Sequence, residues 1–486
     1  MNVPKFRASL CNIRPCVIPT MRVTVIASIL LGLFLPFLSG LNAAPASVKL
    51  EDYRSHVRTE TWTEQWPAAD GTLQPREITA EVWTAAFQAA LKEHGKVYVP
   101  ARAEPYYLDG PVVLKSGDTF KADKNTELRL KPGSNTCMVR NANLIGFAST
   151  PVPEDTRPDR NITIEGGIWT TLATTPKETN GNSRGASAKS QAVYGTHGVI
   201  LLQNVRNVIV RNVTVRQSKA FAVHLGNVHE FLVEGIRLEQ HRRDGVHVDG
   251  PASHGVIRDV RGDSHDDTVS IAAWDWRNCA PSFGPIHDLL IERVSGVPER
   301  STDAIRLLPG VKRFDDGTTL DCAISNIVLR ELTDIREFKF YDQPNLELGR
   351  DKDFSVGLGW LRNVKLEKLV FTRPGVIQIA AEVDGLSIDA VEVRFTPAED
   401  FNLVEIGPMS QTYRPGPDPA RWVEIFSPDR DVTVRGFRLS GVSTQSAKLG
   451  DADAEARFVR VRNQTLNPKY PVSTPRGGTG KAKLVR

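Results

Sequence analysis

Cysteine is nearly absent: five residues in 486, with no C-x-x-C pair among them. Cys11 and Cys16 fall in an N-terminal leader, which leaves Cys137, Cys279 and Cys322, an odd number. That argues against a disulfide scaffold and against a zinc site; one Cys279–Cys322 bridge stays open. Aromatic residues are sparse at 7%, so a broad aromatic face is not on offer. Charge of one sign is missing too, since 61 basic residues face 57 acidic ones. No apolar run beyond the first 44 residues is long enough to cross a bilayer.

The one long apolar run is N-terminal. Residues 1–44 hold Lys5, Arg7, Arg14 and Arg22, no acids, and then "VTVIASILLGLFLPFLSGLNAA". A basic start, an apolar centre and small residues near Ala43–Ala46 read as a secretory signal, removed in the mature chain. Either Met1 or Met21 would start it. A membrane anchor is the competing reading, disfavoured by Pro36 and Gly40 inside the run. Without the four leader cations the balance is 57 against 57. There is then no global basic field for nucleic acid or for a membrane surface. The expected location is secreted or periplasmic, the expected state a monomer.

What the chain does have is a repeat. Short β-branched stretches, often introduced by Asn, recur as "NITIEGGIW", "NVIVRNVTV", "EFLVEGIRL", "HGVIRDVRG", "HDLLIERVSG", "NIVLRELTD", "NVKLEKLVF", "GLSIDAVEV" and "DVTVRGFRL". Taking Ile162, Val208, Phe231, Val256, Leu289, Ile327, Val364, Leu386 and Val432 as markers, the steps are 46, 23, 25, 33, 38, 37, 22 and 46. Single, double and loop-extended units of one period, strand-rich and without helical spacing, predict a β-solenoid whose turns bury one another. The expected fold is all-β, a right-handed parallel β-helix with an N-terminal capping helix. That helix is read in "TAEVWTAAFQAALKEHG", with Thr79 as N-cap, Trp83, Phe87 and Leu91 on one stripe, and Gly95 closing it. Domain bounds follow: signal 1–44, an extension 45–75, a β-helix 76–443, and a flexible tail 444–486. The polar stretches 176–191 and 412–420 read as loops outside the stack.

The repeat gathers acids. Val223, Val246 and Val269 are 23 apart, as are Leu225, Val248 and Ile271. If these point inward, the residues between them point out: His224, His247 and Ser270, continued by Arg306 and Lys339 in longer coils. Two residues before each first inward position lie Phe221, Asp244, Asp267, Asp303 and Arg336. Coils stack about 4.8 Å apart, so Asp244, Asp266, Asp267 and Asp303 should meet on one exterior face, flanked by His247, Arg306 and Lys339. Crowded carboxylates raise at least one pKa and leave a proton available, as glycosidic cleavage requires. The competing reading is structural, because Asp caps turns at strand corners. His265 reads as a wall or turn residue near the acids. Trp274 and Trp276 read either as a sugar platform or as packing under a loop. Asp249 and Asp275 read as solvated.

With those residues in view, "DGVHV…HDDTVSI" resembles the Asp motifs of the polygalacturonase-type glycoside hydrolases of family 28, within the pectin-lyase-like β-helix superfamily. As motif the resemblance covers residues 242–308; as architecture it covers most of 75–440. It implies Asp266 as general acid, with Asp244 and Asp267 holding and deprotonating water. It also implies inversion at the anomeric carbon of a uronate-containing, pectin-like polysaccharide, and needs no cofactor. The chain departs from the family at Arg242-Arg243, where Asn-Thr is usual. It also lacks the Gly-His-Gly on the next coil, where Asp303 takes the histidine's slot, and the Arg-Ile-Lys, where Lys339 takes the arginine's slot. Arg306 is then the candidate for gripping the sugar carboxylate; His247, Asp303, Lys339, His265 and Trp274 complete the expected substrate contacts. The rivals are a polysaccharide lyase using Ca²⁺ on the Asp cluster with Arg306 or Lys339 as base, and a non-catalytic carbohydrate-binding solenoid, which the low aromatic content disfavours.

Overall fold

The computed structural model describes residues 48–67, 72–134, 136–144, 157–171, 198–275, 282–297, 303–341, 358–407, 410–413, 423–426, 431–461 and 481–485. The leader, Trp276, Cys279 (the proposed partner of Cys322), the loop at 176–191 and residues 414–420 lie outside them; Thr412 and Tyr413, expected in a loop, belong to the strand Ser410–Tyr413.

The described chain is a parallel β-helix. Each full coil lays down three short strands, and each strand pairs in parallel with the same strand one coil on. One face runs through Ile162, Val208, Phe231, Gly255, Leu289, Ile327, Val364, Leu386 and Phe437. A second runs through Trp169, Val215, Leu238 and Gly262. The third runs through Val223, Val246, Val269, Ile305, Phe338, Ile377, Val404 and Val459. Inward residues of all three faces share one continuous buried core.

The Asn residues that introduce the repeats have a backbone reason. Asn161, Asn207, Asn326 and Asn363 all sit at positive φ, 59°, 57°, 56° and 51°, one residue before an inward position. Asn tolerates this left-handed corner better than most side chains. Stacked corners also bond: Asn207 Nδ2 donates to Asn161 Oδ1 at 2.7 Å, and Asn363 Nδ2 to Asn326 Oδ1 at 2.9 Å. Glu230, His254 and Asp288 fill the same corner in the intervening coils.

Two of the markers were misplaced. Phe231 pairs with Gly255, not Val256. Glycine is there because the Phe231 ring fills the space: a Cβ on Gly255 would lie 2.1 Å from it. Leu386 pairs with Phe437, not Val432, because Val383 takes Val434.

The ends also differ from expectation. The helix is Thr84–His94, four residues later than an N-cap at Thr79 would place it, with Trp83 as N-cap and no side-chain cap. Leu73–Val82 is instead a strand, antiparallel to Arg58–Pro67. The apolar stripe is as expected: Phe87 stacks on Phe120 at 5.3 Å, Trp83 meets Tyr106 at 5.0 Å, and Leu91 is buried. Gly95 closes the helix at φ 65°, its N–H donating to the Leu91 carbonyl. The stack does not stop at 443. A helix, Asp451–Phe458, leads into Val459–Val461 on Val404–Ile406, and Ala482–Val485 pairs with Val432–Arg435. No helix among the described residues is long and apolar enough to cross a membrane.

Candidate functional site

The site lies on the third face, where five strands lie side by side: Phe221–Glu239, Val246–Gly262, Asp267–Ala272, Ala304–Leu308 and Glu337–Tyr341. Pleating sends Val246, Val248, Val269, Ile271, Ile305, Leu307, Phe338 and Phe340 into the core. The residues between them form one outward column in register, His224, His247, Ser270, Arg306 and Lys339. A second outward column, one pleat on, is Gly226, Asp249, Ala272 and Leu308, with Tyr341 beside them.

Asp244 and Asp267 enter this face at the corner. Gly245 N donates to the Asp267 carbonyl at 2.9 Å. That close approach is why a glycine follows Asp244, since a Cβ there would lie 2.6 Å from the Thr268 carbonyl oxygen. Oxygens of Asp244, Asp266 and Asp267 lie within 4.8 Å of one another. The coil repeat therefore does bring these three acids together.

The outward residues are not solvent-facing, however. His224, His247 and Ser270 are fully buried, and Arg306 is 8% exposed. Asp244 and Asp267 are 2% and 1% exposed, whereas 34% of the Asp266 side chain remains open. Asp266 is the acid a ligand meets first.

Buried charges need partners, and the partners form a network. His247 Nδ1 donates to Asp244 Oδ2 at 2.6 Å, and its Nε2 lies 3.3 Å from Asp249 and 3.7 Å from Asp275. Phe221 stacks on the His247 ring at 4.2 Å. His224 Nε2 holds the other Asp249 oxygen at 2.7 Å. Arg306 reaches Asp267 at 2.9 Å, Asp275 at 3.2 Å and Asp244 at 3.7 Å, and donates to Ser270 Oγ. Lys339 holds the second Asp267 oxygen at 3.0 Å and lies 3.7 Å from Glu337. Arg243 donates to Asp266 Oδ2 at 2.9 Å.

This network separates the acids' proton affinities. Loss of water, then the charges of Asp244 and Asp267, push Asp266 up to about 6. Burial acts on Asp244 in the same sense, but the hydrogen bond from His247 and the charges of His247, Arg306 and Arg243 outweigh it and hold Asp244 well below the usual carboxylate range. Burial disfavours the imidazolium of His247, yet Asp249 and Asp244 lift it to about 10. His224 is lowered by burial, so it serves as a neutral donor. Arg306 and Lys339 lose water as well, and Asp267 leads the charges that raise both.

Several expectations need correction. Asp303 leaves the acid cluster because of a β-bulge: Asp267 pairs with Ala304 and Val269 with Ile305, so the strand entered after Asp303 has one residue fewer between these pairings. Its carboxylate instead accepts from Val297 N at 2.8 Å and faces Arg373 at 3.6 Å. Trp274 offers no sugar platform; it is 2% exposed, edge-on to Phe283, with Gly310 pressed against it. His265 sits between Asp263 and Arg242, at 3.3 Å and 3.4 Å. Asp249 and Asp275 are buried partners of the network, not solvated acids. Sequence reasoning also missed Arg243, although its bond to Asp266 spans 23 residues, one coil.

Three groups of ligand atoms lie close enough to share a cation: Asp244 with Asp266 and Asp267, His224 with His247 and Asp249, and His254 with His287 and Asp288. In the first two the carboxylates are already paired, Asp267 with Arg306 and Lys339, Asp266 with Arg243, Asp244 with His247 and Asp249 with His224, so a metal would compete with those contacts.

No protein-family model matches the chain, and no curated protein does. Among solved structures it is similar to a family 28 exopolygalacturonase of Yersinia enterocolitica, at 12% identity over 88% of this chain and 83% of that one, TM-score 0.42. It is similar to an exopolygalacturonase of Thermotoga maritima, at 11% over 84% and 93%, TM-score 0.43. It is also similar to the surface adhesin PfbA of Streptococcus pneumoniae, at 10% over 91% and 100%, TM-score 0.41. At these identities the likeness is one of fold, shared by hydrolases and an adhesin alike.

Proposed function

We propose that this chain is a secreted or periplasmic glycoside hydrolase acting on a polysaccharide or oligosaccharide. One observation carries the reading: three carboxylates share a patch, and their surroundings push two of them apart, Asp266 up to about 6 and Asp244 well below the usual range. A group that keeps its proton beside one that loses it is what acid and base catalysis of glycosidic cleavage requires. Asp266, the most open of the three, protonates the leaving oxygen. Asp244 and Asp267 hold a water and take its proton.

One oxygen from each of the three acids lies within 4.8 Å of the others, and that proximity does not by itself mark an inverting pair, whose carboxyl groups usually stand about 6.5–9.5 Å apart. Single displacement is supported on other grounds. Asp267 has one oxygen on Arg306 and the other on Lys339, and Asp244 is bonded to His247. Both are nearly inaccessible to an anomeric carbon. Carboxylates pinned in this way suit holding a water better than attacking carbon.

The lyase reading needs a base that gives up its proton near neutrality. Arg306 and Lys339 are shifted the other way, towards permanent charge. The test is to incubate the protein with plant and algal polysaccharides and follow reducing ends, near-ultraviolet absorbance and product anomer. Hydrolysis with inversion gives reducing ends of inverted configuration without new absorbance. Unsaturated products would overturn the hydrolase reading, and retained configuration the water-holding roles.

A further inference from the structure

We infer that the sugar bound over Asp244, Asp266 and Asp267 is uncharged, and that the site discriminates against uronates. This rests on the hydrolase reading and refines its substrate class. It reverses the expectation that Arg306 and Lys339 are there to grip a sugar carboxylate.

The site's cations are already held by its own acids. Arg306 is shared among Asp267, Asp275 and Asp244, and its Nε also donates to Ser270. Lys339 sits between Asp267 and Glu337. His247 lies among Asp244, Asp249 and Asp275, and Arg243 is bonded to Asp266. Among the described residues of the network, four cations therefore face six carboxylates. Protonating Asp266 still leaves an excess of negative charge. A sugar carboxylate would have to compete with Asp267, Asp275 and Glu337 for Arg306 and Lys339, and weakening the contacts of the buried Asp267 and Asp275 is costly.

The most open acid points the same way. Ser270 is fully buried and Tyr341 nearly so, and the group presented to a sugar is the Asp266 carboxylate, an acceptor for sugar hydroxyls. The same bonding offers a uronate oxyanion only occupied donors.

The experiment uses the full-length Asp266→Asn variant, so that bound sugar is not consumed. Acidic plant, algal and bacterial polysaccharides are each presented beside a carboxyl-reduced counterpart, in which every uronate has become a neutral hexose; natively neutral polysaccharides complete the panel. The expected result is binding to at least one neutral chain, with its acidic counterpart, where there is one, bound at least about tenfold more weakly. Asp275→Asn in the same background relieves one of the three acids on Arg306, and should narrow that gap by strengthening the acidic arm. Tighter binding of the acidic member of any pair, or no binding to either class, overturns the inference. Neutral binding without release of reducing ends by the unmutated protein would sink the hydrolase reading and leave this preference standing. A folded Asp275→Asn variant that leaves the gap unchanged would remove Arg306 as its cause and overturn the argument from the occupied cations.

Discussion

In the proposed mechanism Asp266 is the general acid, and the burial and neighbouring charges that fit it for that role also weaken the fold. Its pKa of about 6 means that the folded protein binds that proton more tightly than the unfolded chain does. Stability from this group is therefore greatest below the ordinary carboxylate pKa and declines as pH rises through about 6. Asp266→Asn should abolish most turnover, roughly 10²–10⁴-fold for loss of a general acid. It should also raise the melting temperature at pH 7 while leaving it unchanged near pH 4. Thermal melts at the two pH values check this; a variant less stable at pH 7 would contradict it. The wild-type rate should fall above about pH 6, as Asp266 loses its proton, and that limb should vanish in any residual activity of the variant. His247 shifts in the same direction, but because its charged form is the favoured one it stabilises the fold at pH 7. Lifted to about 10, its imidazolium stabilises the fold fully below the usual histidine range, and that contribution is lost only as pH rises through about 10. His247→Gln should therefore lower the melting temperature at pH 7 far more than at pH 10.5. It should also lower kcat with little change in KM, because Asp244 loses its pin. At this scale the three acids and the outward column were legible, since strand alternation and coil spacing are both simple periods. The burial of Asp249 and Asp275 was not, because it depends on neighbours from other coils that no local pattern records.

At the scale of elements, single residues decide register. Gly245 lets the coil bearing Asp244 close on the coil bearing Asp267, and Gly255 yields its volume to Phe231. Gly245→Ala should force the coils apart against the Thr268 carbonyl. We expect a loss of stability of about 1–3 kcal/mol, the usual range for overpacking a tight site, and a fall in kcat exceeding the change in KM. Denaturant unfolding and steady-state kinetics read the two separately. Asp303 shows why the sequence misled here. Its spacing from Ile305 matches that of Asp244 from Val246, yet one residue fewer in the strand turns it to Val297 and Arg373. Bulges of one residue leave no compositional trace. The Asn corners did leave one, because a left-handed backbone restricts the side chain, and the repeats were readable largely through them.

For the described molecule, stability is close to a sum over coils and the contacts between them. The hydrophobic steps announced that arrangement plainly. Its ends were less legible: the hairpin 58–82 and the strands 459–461 and 482–485 lack the β-branched repeat and are held by pairing to coils already formed. Ending the chain at 443 should expose the edges of Val404–Ile406 and Val432–Arg435 and cause self-association, detectable by light scattering; a monodisperse, fully stable truncation would show that these strands are dispensable. In the proposed mechanism, stacking sets a proton-donating Asp266 beside Asp267 and beside an Asp244 that His247 and Arg306 keep ionised. The most direct measurement compares reducing-end release by the wild-type protein and Asp266→Asn on a polysaccharide that both bind. Release by the first and near-silence from a folded second is the result expected; equal release from both would contradict it.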